Sequence, residues 1–252
     1  MKILSNINTS QVFVHTNLLK TNQKYLIIIS LILLSFFAWI VSYSQFYVSL
    51  PIFLSPQIIQ SINFTWMWTV MMIAMMLPSI IPMVLLFTTI SQSRTNYGFE
   101  TISTTFFIFG YLGIWSSIGV GLAIINFFLF SIFTIWSTVI TGLAFVVAGI
   151  YQLTRWKNLC LGHCRSPIHF FMHDWHDGII GAVRMGSHHG LYCIGCCWGL
   201  MLVQISLGMM NPAYMGIIAV FIFIEKIFIV GEKFAKIIGV LFIVLGLIFL
   251  VL

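Results

Sequence analysis

The residues from Gly190 to Met201 read Gly-Leu-Tyr-Cys-Ile-Gly-Cys-Cys-Trp-Gly-Leu-Met. In a helix, positions three and four apart share a face. Cys193, Cys196 and Cys197 therefore point the same way. Met201 continues the stripe one turn on, and Gln204 follows it. Three thiols and a thioether make a soft-donor surface suited to Cu(I), and the thiols also suit Zn²⁺. A single cysteine here would read as a small apolar packing residue; three on one face read as ligands. All five cysteines lie between Cys160 and Cys197, and two are adjacent, a pattern of ligands rather than of a disulfide framework.

Two further groups carry the same chemistry. Trp66-Met-Trp-Thr-Val-Met-Met-Ile-Ala-Met-Met-Leu-Pro-Ser-Ile-Ile-Pro-Met83 places Met72, Met75, Met76, Ser79 and Met83 on one helical face. Methionine is an ordinary core filler, but beside a thiol cluster these thioethers read as weak stepping ligands. Pro78 frees the carbonyl of Ala74, and Pro82 that of Pro78. The segment from Arg155 to Gly190 holds Cys160, Cys164 and every histidine but His15. His163 lies between its two cysteines. His169, His173 and His176 fall at i, i+4 and i+7, with Asp177 one turn from His173 to orient an imidazole. Glu225 closes an apolar run beside Lys226, and ionisable residues there are functional candidates; Glu225 is read as a proton-linked or ligand-supporting group.

The elements that position these residues follow from composition. Of 252 residues, 60% are hydrophobic and 6% charged, with a mean hydropathy of +1.08. An ordinary soluble domain carries about 25% charged residues, so a soluble globular enzyme and a disordered chain are both excluded. The expected fold class is all-α: a polytopic transmembrane helix bundle of about seven spans. They run from Tyr25 to Tyr43, Trp66 to Ile90, Ile102 to Phe128, Ile132 to Thr154, Leu191 to Met210, Ala213 to Val230 and Phe234 to Leu252. The fifth helix is expected to begin earlier, near Gly178, because Gly178, Ala182, Gly186 and Gly190 form a row that lets helices approach closely. Asn211-Pro212 is the sole break between the fifth and sixth spans, so a six-span chain with a re-entrant hairpin stays open.

With seven spans, every Lys, Arg, Asp and Glu falls on one side. The opposite loops, Ser44–Thr65, Leu129–Ser131 and Asn211–Pro212, carry no charge. This positive-inside pattern puts the N-terminus inside and the C-terminus outside. It explains the net charge of +6 without nucleic acid. Residues 1–24 are read as a cytoplasmic arm. Residues 25–252 are read as one transmembrane domain with the Cys/His-rich connection at 155–190. The expected setting is a multi-pass protein of the cell membrane. Counted from these boundaries, the cysteines fall in the inner part of the bilayer, Met72, Met75 and Met76 in the outer part, and Met83 and Met201 between.

Four segments resemble a family. Trp68-Thr-Val-Met71-Met72-Ile-Ala74-Met75-Met76-Leu-Pro78 resembles a hallmark of proteins described as predicted metal-binding integral membrane proteins. Cys160-Leu-Gly-His-Cys164-Arg165-Ser-Pro167, His189-Gly-Leu-Tyr-Cys193-Ile-Gly-Cys196-Cys197-Trp198-x-Leu-Met201 and Glu225-Lys226 resemble three more. The resemblance covers roughly residues 60–235 and implies a polytopic metal-binding membrane protein, with no reaction attached. Three functions fit. The first is binding and transfer or transport of a soft transition metal, copper favoured over zinc, with the bilayer, the metal ion and a metallochaperone or membrane complex as partners. The second is a histidine-rich membrane metallo-oxidoreductase built on His163, His169, His173, His176, His188 and His189. The third is a structural or assembly subunit of a membrane complex. The chain has no P-loop, so ATP-driven pumping by this chain alone is not expected.

Overall fold

The computed structural model describes residues 21–48, 57–94, 99–135, 137–173, 175–208, 211–228 and 231–251. They form nine described helices: α1 (Thr21–Val48), α2 (Gln57–Arg94), α3 (Phe99–Ile135), α4 (Ser137–Gln152), α5 (Arg155–Arg165), α6 (Pro167–His173), α7 (Gly178–Ser206), α8 (Pro212–Ile227) and α9 (Gly231–Val251). The expected arm lies outside the described residues as far as residue 20. The all-helical class holds, and α7 does begin at Gly178.

Five helices, α1, α2, α3, α7 and α9, are long and apolar enough to cross a membrane. The α4–α5 pair becomes a sixth candidate if it is one broken span, bent by 67°. α4 and α8 have 16 residues each, or about 24 Å at the helical rise, short of a hydrocarbon core of about 30 Å.

The core is apolar, but so is much of the outer surface, unlike that of a water-soluble domain. Ile29, Leu33, Phe36 and Ile40 on α1 and Ile237, Leu241, Val244 and Ile248 on α9 are exposed, whereas Lys157, Gln152, Gln204 and Glu225 are buried. Apolar side chains that face outwards in rows need an apolar surrounding.

Small residues set the closest contacts. α3 lies on α7 at Gly110 and Gly186: a Cβ on Gly186 would stand 2.0 Å from the Phe107 carbonyl oxygen, and one on Gly110 2.3 Å from that of Val183. α4 lies on α9 in the same manner through Gly149 and Gly239. α1 covers α2 at its proline break, where Ser35 Oγ donates to the Ala74 carbonyl at 2.6 Å. That is the carbonyl released by Pro78, so the kink exposes no unsatisfied acceptor there. Trp68 Nε1 donates to the Trp115 carbonyl at 2.9 Å and fixes α2 against α3.

The polar connection bends around the end of this bundle. Thr154 caps α5, its hydroxyl accepting from the Lys157 amide at 3.4 Å. α6 ends at His173, and Gly178 starts α7 with φ at +81°, a value that favours glycine. The expected helical face of His169, His173 and His176 is therefore not formed, because His176 falls in the non-helical stretch before α7. Asp177 accepts instead from Trp175 Nε1 at 2.7 Å. Trp175 in turn stacks on Phe87 of α2, with ring centroids 5.6 Å apart.

Candidate metal centre

One α7 face carries His189, Cys193, Cys196, Cys197, Met201 and Gln204, and all are buried. The sulfurs of Cys193, Cys196 and Cys197 lie within 4.8 Å of one another. Two sulfurs bound to one ion at about 2.3 Å can stand at most about 4.6 Å apart, so the spacing suits a shared ion after minor adjustment. Among the described residues this is the one group of three or more Cys, His, Asp or Glu ligand atoms so close together. The Cys196 and Cys197 thiols point back to the Cys193 carbonyl at 3.1 and 2.8 Å, bonds that hold the three side chains over one turn.

A fourth sulfur approaches from α5. Cys164 Sγ lies 3.7 Å from Cys196 Sγ. Cys160, one turn earlier, packs its sulfur against Gly195, where a Cβ would stand 2.6 Å away. The glycine thus makes room for a thiol beside the cluster. All five cysteines are free thiols.

Other helices add polar groups. Tyr111 of α3 brings its hydroxyl to 3.0 Å from Cys193 Sγ; the close α3–α7 approach at Gly186 puts it there. Lys226 of α8 places its ammonium 3.0 Å from the same sulfur and 3.1 Å from Ser79 Oγ of α2. Lys157 and Glu225 form a buried ion pair at 2.7 Å, their side chains 0% and 2% exposed. Gln152 Nε2 donates to the second Glu225 oxygen at 3.0 Å. Glu225 is therefore not a ligand of the cluster: both its oxygens are taken, and its neighbour Lys226 does the reaching. Adjacent helical residues point in different directions, so one charged pair serves two environments.

Polar side chains link the methionine helix α2 to the thiol helix α7. Gln204 Nε2 donates to Met71 Sδ at 3.7 Å, while Lys226 ties Ser79 to Cys193. These ties put α2 and α7 antiparallel and facing. Met72, Met75 and Met76, all buried, stand along the stretch from Ser79 to Met71, opposite the stretch from Cys193 to Gln204. Met83 lies beyond Ser79, away from Met201.

Among the described side chains, no three histidines come together as ligands. The His163 ring stacks on Tyr192 at 4.4 Å with its Nδ1 2.9 Å from the Leu159 carbonyl. His176 is exposed. The side chains of His169 and His173 lie outside the described residues. His189 is the exception: it is 2% exposed and stacked near Tyr111 and Phe107, one turn before Cys193. Its Nδ1 has no hydrogen-bond partner.

Tyr111 gives no sign of itself in the sequence, since a lone tyrosine in an apolar helix is unremarkable. Lys226 does, as a charge in an apolar run, although the carboxylate beside it gives the stronger signal in sequence. Compared with curated proteins and with solved structures, the chain matches none. A family model described as PpoB2, copper chaperone, matches residues 65–249, which include all four sulfurs of the cluster, Tyr111 and Lys226. The chain belongs to this copper chaperone family.

Proposed function

We propose that this chain is a membrane-embedded carrier that takes up Cu(I) and passes it on. Cys193, Cys196 and Cys197 hold the ion, and Cys164 exchanges it at the edge of the site. One observation carries the reading: three buried sulfurs on one rigid helix lie within 4.8 Å, with a fourth 3.7 Å from one of them. Thiolates are soft donors, and a low-coordinate sulfur site favours Cu(I) over harder ions. Cys160 precedes Cys164 on the way in, and Met201, Met72, Met75 and Met76 are weaker donors along the same face. Weak donors beside a thiolate site let an ion leave, where a closed set of strong ligands retains it. The copper chaperone family agrees with this cargo. The histidine-based oxidoreductase finds no support in the placing of His163 and His176.

In this reading α1, α2, α3, α7 and α9 cross the membrane, the short α4 and α8 complete the passes where the bilayer thins around them, and the N-terminus lies inside. Two contacts support it. Gln92 Nε2 donates to Gln23 Oε1 at 3.2 Å, so the start of α1 and the end of α2, near Lys24 and Arg94, share one end of the bundle. Arg165 donates to the Phe228 carbonyl, so α5 lies beside the α8–α9 turn with Lys226 and Lys233. Each contact brings two basic segments together, as a positive-inside bundle would.

The test is elemental analysis of protein purified anaerobically after copper loading. About one copper per chain is expected in the wild type and essentially none in the C193S/C196S/C197S variant. Equal copper in the two, or none in the wild type, refutes the proposal.

A further inference from the structure

Lys226 is placed where a metal site has a specific electrostatic need. Its side chain is 9% exposed, and its ammonium touches Cys193 Sγ at 3.0 Å and Ser79 Oγ at 3.1 Å. The adjacent carboxylate does not neutralise it, because Glu225 is bound by Lys157 at 2.7 Å and Gln152 at 3.0 Å. The Lys157–Glu225 pair sums to zero charge. Lys226 is then a positive charge directed at sulfur. A buried cation is costly unless an anion lies beside it, and the anions available at this spot are the cysteine thiolates.

Resting on the reading that the cluster binds Cu(I), we propose that Lys226 is the counter-charge of the bound complex and tunes the site to a monovalent ion held by two of the three cluster cysteines as thiolates, the third staying a neutral thiol beside them. Cu(I) with two thiolates carries one negative charge, and the ammonium brings the buried assembly to zero. A divalent ion with the same two thiolates is already neutral, and Lys226 leaves it with an uncompensated positive charge. In a low-dielectric interior such a unit of net charge weighs far more than in water. The ammonium does not ligate the ion. It lies against one sulfur, with Ser79 as its second anchor, and acts through Cys193 as a positioning residue. The hydroxyl of Tyr111, 3.0 Å from the same sulfur, is neutral and cannot replace it.

The experiment compares wild type, K226M and K226R in detergent under anaerobic conditions. Cu(I) affinity is read by competition with a chromogenic Cu(I) chelator, and Zn(II) affinity by competition with a zinc dye. Loss of a charge-assisted bond is worth about tenfold to a hundredfold. K226M is expected to weaken Cu(I) by about that factor and to leave Zn(II) unchanged or tighter, while K226R keeps Cu(I) within a few-fold of wild type. Unchanged or tighter Cu(I) binding in K226M overturns the proposal, as does an equal loss of Zn(II), which marks general damage to the site. Failure of the underlying reading shows elsewhere: the wild type and the triple cysteine variant would bind Cu(I) alike.

Discussion

Replacing Glu225 by glutamine should cost this protein more than any change on its surface. The substitution keeps the shape of the side chain and removes one charge. Lys157 is 0% exposed and its ammonium lies 2.7 Å from Glu225 Oε2. No carboxylate is left beside it in E225Q. Removing one partner of a buried ion pair costs about 3–5 kcal/mol, because the other charge stays buried and uncompensated. Gln152, which donates to the other Glu225 oxygen at 3.0 Å, cannot make up the loss, being a donor itself at that contact. Removing both charges is a different matter, since an apolar pair of similar volume is often neutral. K157M/E225M should therefore recover most of the loss. Reversible unfolding of wild type, K157M, E225M and K157M/E225M in mixed micelles gives the four free energies of a cycle, with E225Q measured beside it. The expected result is a large coupling term, with the double variant more stable than E225Q. An E225Q protein as stable as wild type, or a double variant whose loss is the sum of the singles, would show that the pair is not buried as described.

Two further substitutions probe the centre. Gly186→Val puts a side chain where even a Cβ would lie 2.0 Å from the Phe107 carbonyl oxygen; overpacking of this kind costs about 1–3 kcal/mol, and parting α3 from α7 should withdraw Tyr111 from Cys193, read as a lower unfolding midpoint together with weaker Cu(I) binding. C164S should slow Cu(I) uptake from a small thiol complex by about tenfold while leaving the stoichiometry near one, because its sulfur stands 3.7 Å from Cys196 at the edge of the cluster; loss of all bound copper would make Cys164 a core ligand.

The thiol face of α7 was legible because it depends on one helix. Spacing at three and four residues fixes direction, and no partner is needed to say that Cys193, Cys196 and Cys197 converge. The row Gly178, Ala182, Gly186, Gly190 likewise showed where α7 begins and which face a neighbour presses. Groups set by several helices were not legible. The relative height of α2 and α7 depends on how far each runs past its apolar core, and the ties at Met71 and Ser79 are long-range. The apparent His169–His173–His176 face assumed a continuous helix, whereas the chain breaks after His173 to let Gly178 open α7. The role of Glu225 could not be read from its own position, since it is set by Lys157 of α5 and Gln152 of α4, which arrive from far off in the chain.

The order of the sulfurs along the structure bears on how an ion would travel. Cys160 and Cys164 keep some exposed surface, whereas Cys193, Cys196 and Cys197 are buried. Transfer between thiolates needs the incoming sulfur within bonding reach before the outgoing one lets go, since a bare buried ion is far too costly. The 3.7 Å approach of Cys164 to Cys196 meets that demand. α5, which carries both partly exposed thiols, is the short helix bent by 67° from α4, whereas α7 is clamped by close contacts with α3 and with Tyr151 of α4, whose hydroxyl donates to the Gly195 carbonyl. In the proposed reading, the donors that would receive the ion thus sit on a short helix of their own and the donors that would hold it on the long α7, so a shift of α5 alone would change the distance between the two sets.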